Sequence, residues 1–105
     1  MNEINYGSIS SILSYFNANA YAPEQLKEDL EQMNLEHLNS IQEKMIQLLK
    51  EKRLGLDEFR RVTACVAANE RAAHKFFEDV YKYAFEDGEE PDLEDYRRPR
   101  PKPAF

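Results

Sequence analysis

The sequence predicts an all-α fold: a small helical bundle built on an antiparallel helical hairpin, with a short N-terminal helix and a disordered C-terminal tail. Three observations carry that expectation. Apolar residues recur at three- and four-residue spacings over most of 1–87, only three glycines occur in 105 residues, and four of the five prolines lie beyond residue 90. A chain of this length buries one core and not two. Residues 1–87 are therefore expected as one helical domain and 88–105 as an acidic, then basic, proline-rich tail.

No charged side chain lies between Glu3 and Glu24, and Ile9, Ile12, Leu13 and Phe16 fall on one helical face. This predicts a first helix over about 8–18, whose other side, Ser10, Ser11, Ser14 and Asn17, is polar and uncharged. Pro23 with Glu24 and Gln25 marks the next start, because proline at the first helical position lacks only an N–H that has no helical partner there. Its inner face is Leu26, Leu30 and Met33. The apolar stripe resumes out of phase at Leu38, Ile41, Met45 and Leu48, so a break or a new cap is expected at Asn34. Lys50, Lys52 and Arg53 followed by Gly55 read as a helix end, with glycine in the left-handed conformation.

A second long arm is expected from about residue 56 to 85. Phe59, Val62, Val66, Asn69, Ala73, Phe76, Val80 and Tyr83 alternate in steps of three and four without interruption. Packed against the first arm across the short Arg53–Gly55 connection, it defines the hairpin. The same regular seam predicts self-association through Phe59, Val62, Val66, Asn69, Phe76, Val80 and Tyr83, hence a homodimer.

Charge is unevenly distributed along the chain. The net charge of −6 divides into −3 over residues 1–85 (ten bases, thirteen acids), −7 over 86–96 (seven acids) and +4 over 97–105 (four bases). This split argues against simple affinity for nucleic acid or an anionic membrane. The single cysteine, Cys65, fits a reducing compartment, Asn2 and Glu3 do not open a signal peptide, and no apolar stretch is long enough to span a bilayer; a cytoplasmic protein is expected.

The motifs that carry chemistry are missing. With only Gly7, Gly55 and Gly88 there is no phosphate-cradling loop, and there is no nucleophile elbow, cysteine pair or acidic calcium loop. His74 lies four residues from both Glu70 and Glu78, but the further carboxylates and second histidine of a helical metal site are not present; the three read as a solvated face. Cys65, beside Val62 and Val66, reads as a packed side chain. Arg60, Arg61, Arg71, Lys75 and Lys82 are interleaved with acids. The expectation is a protein with no catalytic, metal or cofactor-binding residues.

What remains is the tail. Arg97, Arg98, Arg100 and Lys102, set among Pro99, Pro101 and Pro103, project cations from a backbone biased to polyproline II, and Phe105 adds an aromatic anchor. These five residues are the expected partner-binding set, and the function they imply is that of a small cytosolic adaptor or regulator that binds another protein. The alternative is an acidic inhibitor of a nucleic-acid enzyme, in which the acids between Glu86 and Asp95 imitate a phosphate path. Two helical arms around Leu54-Gly55, followed by Tyr83-Ala84-Phe85-Glu86-Asp87, resemble the WXG100-type secreted helical hairpins with their Tyr-x-x-x-Asp/Glu signal. The turn tryptophan of that family is missing here, and a helix precedes the hairpin.

Overall fold

The fold comes from a computed structural model that describes residues 9–97. The chain is all-α, with five α-helices among these residues: α1 (Ser10–Leu13), α2 (Pro23–Gln32), α3 (Leu35–Lys50), α4 (Leu56–Thr63) and α5 (Glu70–Phe85), with short 3-10 turns at Ser14–Phe16 and Leu93–Asp95. Helix α5 lies at the centre, against α2, α3 and α4, while the Ser14–Phe16 turn wedges between α2 and α4. No described helix is long and apolar enough to cross a membrane.

The helix boundaries follow from local chemistry. Pro23 begins α2, and the Tyr83 hydroxyl donates to the Pro23 carbonyl at 2.9 Å, tying that helix start to α5. Asn34 caps α3 by accepting the His37 N–H at 2.8 Å, at the point where the sequence periodicity slips. Helix α3 ends in a reciprocal pair of backbone bonds, Arg53 N–H to Leu48 O and Lys52 N–H to Leu49 O. The left-handed residue this motif needs is Lys52 (φ 54°) and not Gly55, which precedes α4 instead with its N–H held by the Glu58 carboxylate at 2.9 Å.

The expected first helix is shorter than its periodicity suggested. Helical φ/ψ gives way to a 3-10 turn at Ser14, and the chain after Phe16 leaves to bond elsewhere: Ala18 N–H to Thr63 O at 2.8 Å and Ala22 N–H to Tyr15 O at 2.8 Å. Ile9, Ile12, Leu13 and Phe16 are all buried, as the stripe predicts.

The second arm is corrected most. Residues 56–85 do not form one helix, so the hairpin is not formed as expected; α4 stops at Thr63, and α5 restarts at Glu70. Thr63 closes α4 from within: its buried hydroxyl donates to Phe59 O at 2.7 Å and accepts the Cys65 N–H at 3.1 Å. Ala64 then turns left-handed (φ 64°), and Asn69 caps α5 through Ala72 N–H at 2.8 Å. The partner of α3 is α5, running the opposite way: Gln42 bonds Tyr81 near the middle, while Gly55, just past the C-terminal end of α3, lies against Glu70 at the start of α5.

The expected seam is accordingly split. Phe59, Phe76, Val80 and Tyr83 point into the chain's own core, Val62 is half-buried against it, Val66 is 50% exposed in the connection, and Asn69 is a cap. The seven residues are divided between core, connection and cap and do not form one continuous outer surface.

The centre of the core is aromatic. Phe76 makes edge-to-face contacts with Phe16 (5.7 Å between centroids), Phe59 (5.0 Å), Phe77 (5.1 Å) and Tyr96 (5.3 Å). Phe76→Ala removes the ring on which these contacts converge and should cost about 3–5 kcal/mol, most of the stability of a small domain. Ala64→Gly relieves a left-handed alanine at an exposed site and should gain about 0.5–1 kcal/mol. Urea denaturation followed by helical circular dichroism measures both; equal midpoints for Ala64→Gly and the parent chain would contradict the strain assigned to Ala64.

Candidate interaction surface

Residues 88–97 are the largest departure from the sequence reading. Expected as the start of a disordered tail, they form a strap packed along α5, so the domain boundary at 87/88 does not divide packed chain from free chain. Pro91, Leu93 and Tyr96 are buried, and the acids between them face solvent.

The strap is built from its own turn chemistry. Asp87 takes the left-handed conformation (φ 59°) after α5, and Gly88 N–H returns to Lys82 O at 2.9 Å. A Cβ at Gly88 would sit 2.9 Å from the Lys82 Cβ, so the chain passes the helix end closely there. Asp92 caps the Leu93–Asp95 turn by accepting Glu94 N–H at 3.0 Å. The Ala68 N–H donates to Tyr96 O at 2.9 Å, beside an isolated antiparallel bridge between Ala67 and Arg97.

Two phenols fasten the strap to the body. Tyr21 donates to the Pro91 carbonyl. Tyr96 donates to Asp79 Oδ2 at 2.6 Å, the same carboxylate that Lys75 reaches at 3.1 Å. Burial pushes the Tyr21 phenol up to about 12, with the nearby Glu90 and Asp92 adding to the shift. Burial raises Tyr96 as well, reinforced by its bond to Asp79.

Between strap and helix runs an open groove of about 620 Å³. Arg71, Lys75, Asp79 and Lys82 line its helix wall, where Asp79 is already engaged by Lys75 and Tyr96; Glu89, Glu90, Asp92 and Asp95 line the strap wall. A wall with a cationic excess thus faces an acidic one.

Of the five expected partner-binding residues, only Arg97 is described; Arg98, Arg100, Lys102 and Phe105 lie outside the described residues. Arg97 is half-buried, with its guanidinium 2.8 Å from Glu94 Oε1. The cationic segment therefore begins at a fixed point on the packed body, not beyond a loose acidic spacer.

The weaker candidates separate. His74 Nε2 approaches Glu78 at 3.8 Å, whereas the Glu70 carboxylate lies against Gly55. No group of three or more histidine, cysteine, aspartate and glutamate side chains gathers in metal-binding geometry among the described residues. Cys65 is buried. No protein-family model matches the chain, and comparison with curated proteins and with solved structures returns no match.

The strap was hidden in the sequence by its charge. Seven acids in eleven residues read as solvated chain, although Pro91, Leu93 and Tyr96 recur within them at steps of two and three.

The alkaline behaviour of the strap follows from its phenols. A tyrosine whose pKa is raised on folding favours the folded state while protonated. That contribution is whole below pH 10, the ordinary value, and is lost as pH rises toward 12 for Tyr21. Phenolate absorbance and the near-ultraviolet dichroism of the tyrosines should therefore show a delayed titration accompanied by loosening of the strap between pH 10 and 12, and Tyr21→Phe should remove part of the delayed fraction. All six tyrosines titrating together near pH 10 would contradict this.

Proposed function

We propose that this chain is a small cytosolic regulator that acts by binding another protein and contributes no chemistry of its own, with the basic, proline-rich segment from Arg97 onward as its docking element. The observation that supports the reading most directly is the anchored position of Arg97: the Ala67–Arg97 bridge, the Tyr96 tethers and the Glu94 pair hold the root of the segment against the body. A docking peptide that starts from a fixed platform loses less freedom on binding than one on a flexible spacer.

A second reading has an observation of its own. Glu86, Asp87, Glu89, Glu90, Asp92, Glu94 and Asp95 are all exposed along the strap and the turn that leads into it, as a phosphate mimic aimed at a nucleic-acid enzyme requires. The two readings differ in which charges matter.

The test is affinity capture from the native host with three baits: the full chain, a chain ending at Arg97, and a full chain with Glu89, Glu90 and Asp92 changed to their amides. Under the docking reading, a stoichiometric partner held by the full chain is lost on truncation, is retained by the amide variant, and dissociates as salt screens the cations. Retention by the truncated chain together with loss by the amide variant would replace it with the phosphate-mimic reading.

A further inference from the structure

The turn that joins α5 to the strap holds a reactive pair of residues. Of the three glycines only Gly88 follows an aspartate or asparagine, so Asp87-Gly88 is the one such dipeptide in the chain. An aspartate followed by glycine can close on itself. The glycine amide nitrogen attacks the aspartate Cγ, its proton and the carboxyl hydroxyl leave as water, and a five-membered succinimide ring forms. Glycine favours the closure because no Cβ at the following residue shields the nitrogen or restricts its approach. Water then reopens the ring at either carbonyl and returns aspartate or gives isoaspartate, in which the main chain runs through Cβ and Cγ and the α-carboxylate becomes the side chain. The water lost in the first step is regained in the second, so the net change is an isomerisation that needs no oxidant, reductant or cofactor.

Two features of the fold act on this pair in opposite directions. Asp87 holds a left-handed backbone (φ 59°), a conformation that costs a residue with a Cβ, and its side chain is 98% exposed, 3.4 Å from Lys27 Nζ. An ion pair that open to water contributes little, so the carboxyl is free to turn toward the main chain. The attacking nitrogen is restrained instead. The Gly88 N–H donates to Lys82 O at 2.9 Å and has to leave that carbonyl before the ring can close.

We infer that Asp87-Gly88 is a self-modification site gated by the seating of the strap, and that conversion to isoaspartate releases the strap from the end of α5. Isoaspartate adds one main-chain carbon immediately before Gly88, where the chain passes so near the helix that a Cβ on Gly88 would sit 2.9 Å from the Lys82 Cβ. The longer chain cannot keep Gly88 against Lys82 O and also keep Pro91 O on the Tyr21 hydroxyl. Closure occurs only in the opened turn, so the folded rate is the unfolded rate multiplied by the fraction of time the Gly88 N–H is free. This is a change the chain undergoes, and it goes beyond the docking reading without depending on it.

Incubation of the full chain at neutral pH, folded and unfolded in urea, tests the inference without a partner protein. Peptide mapping locates the product, because a protease that cuts before aspartate leaves isoaspartate uncut. Isoaspartate is expected at position 87, forming about tenfold or more slowly in the folded chain, by the same factor that hydrogen exchange of the Gly88 amide is slowed. Tyr21→Phe removes the bond to Pro91 but keeps the ring that packs against Phe16, and should raise the folded rate severalfold. Asp87→Glu, which would need a larger ring, should not convert. The purified isoaspartate form should keep its helical signal while Tyr21 loses its delayed titration. Equal rates in the folded and unfolded chains, no isoaspartate in the folded chain over the time its exchange protection sets, a rate unchanged by Tyr21→Phe, or an isoaspartate form whose tyrosines titrate as in the fresh chain would each overturn the inference, and none of these outcomes bears on what the tail binds.

Discussion

The Phe76 ring is packed edge-on by residues that are far apart in sequence. Phe16 comes from the N-terminal turn, Phe59 from α4, Phe77 from the same helix and Tyr96 from the strap, so one side chain links segments eighty residues apart. Most of the elements it joins are too short to persist alone: the Ser14–Phe16 turn has three residues, α4 has eight, and Tyr96 follows a turn of three. Isolated helices of that size do not form in water, because nucleation costs more than so few hydrogen bonds return. Their order is therefore a consequence of the aromatic contacts, and the fold is cooperative around α5, the element that carries Phe76.

The break between α4 and α5 follows from the same requirement. A continuous helix from 56 to 85 would place Phe59 and Phe76 about 25 Å apart along its axis, whereas their rings are 5.0 Å apart. The chain must turn back between them. Thr63 supplies the stop by satisfying its own backbone neighbourhood, Ala64 accepts a left-handed conformation, and Asn69 restarts the helix. Tertiary packing thus overrides a local periodicity that fits one helix at every step.

That override explains which parts of the architecture were legible in the sequence. The α2/α3 junction was readable because two signals coincided at Asn34, a phase slip and a capping residue. At Asn69 the capping signal was present in the same form, an asparagine followed within two residues by glutamate, but the three-four alternation ran through it without a slip. Periodicity reports which face is apolar and is blind to a break that preserves the phase. The core itself was largely visible, since Leu26, Leu30, Ile41, Met45, Leu48, Phe59, Phe76 and Val80 are buried where their spacing placed them.

The strap poses the remaining physical question, which is how a segment so rich in like charge stays packed. Its acids face water, where mutual repulsion is screened to a small effect per pair. Its attachments are hydrogen bonds from neutral phenols, Tyr21 to Pro91 and Tyr96 to Asp79, supported by the buried Pro91 and Leu93 side chains. A lysine in place of the buried Tyr96 would gain Coulomb attraction but would have to desolvate a full charge. The phenols avoid that cost, and the acids around them help: Glu90 and Asp92 beside Tyr21, and Asp79 and Asp95 beside Tyr96, favour the protonated, donating form. The negative charge that made the segment look unfolded in the sequence therefore keeps these phenols in their donating form into the alkaline range. It also leaves an exposed acidic surface directly beside Arg97.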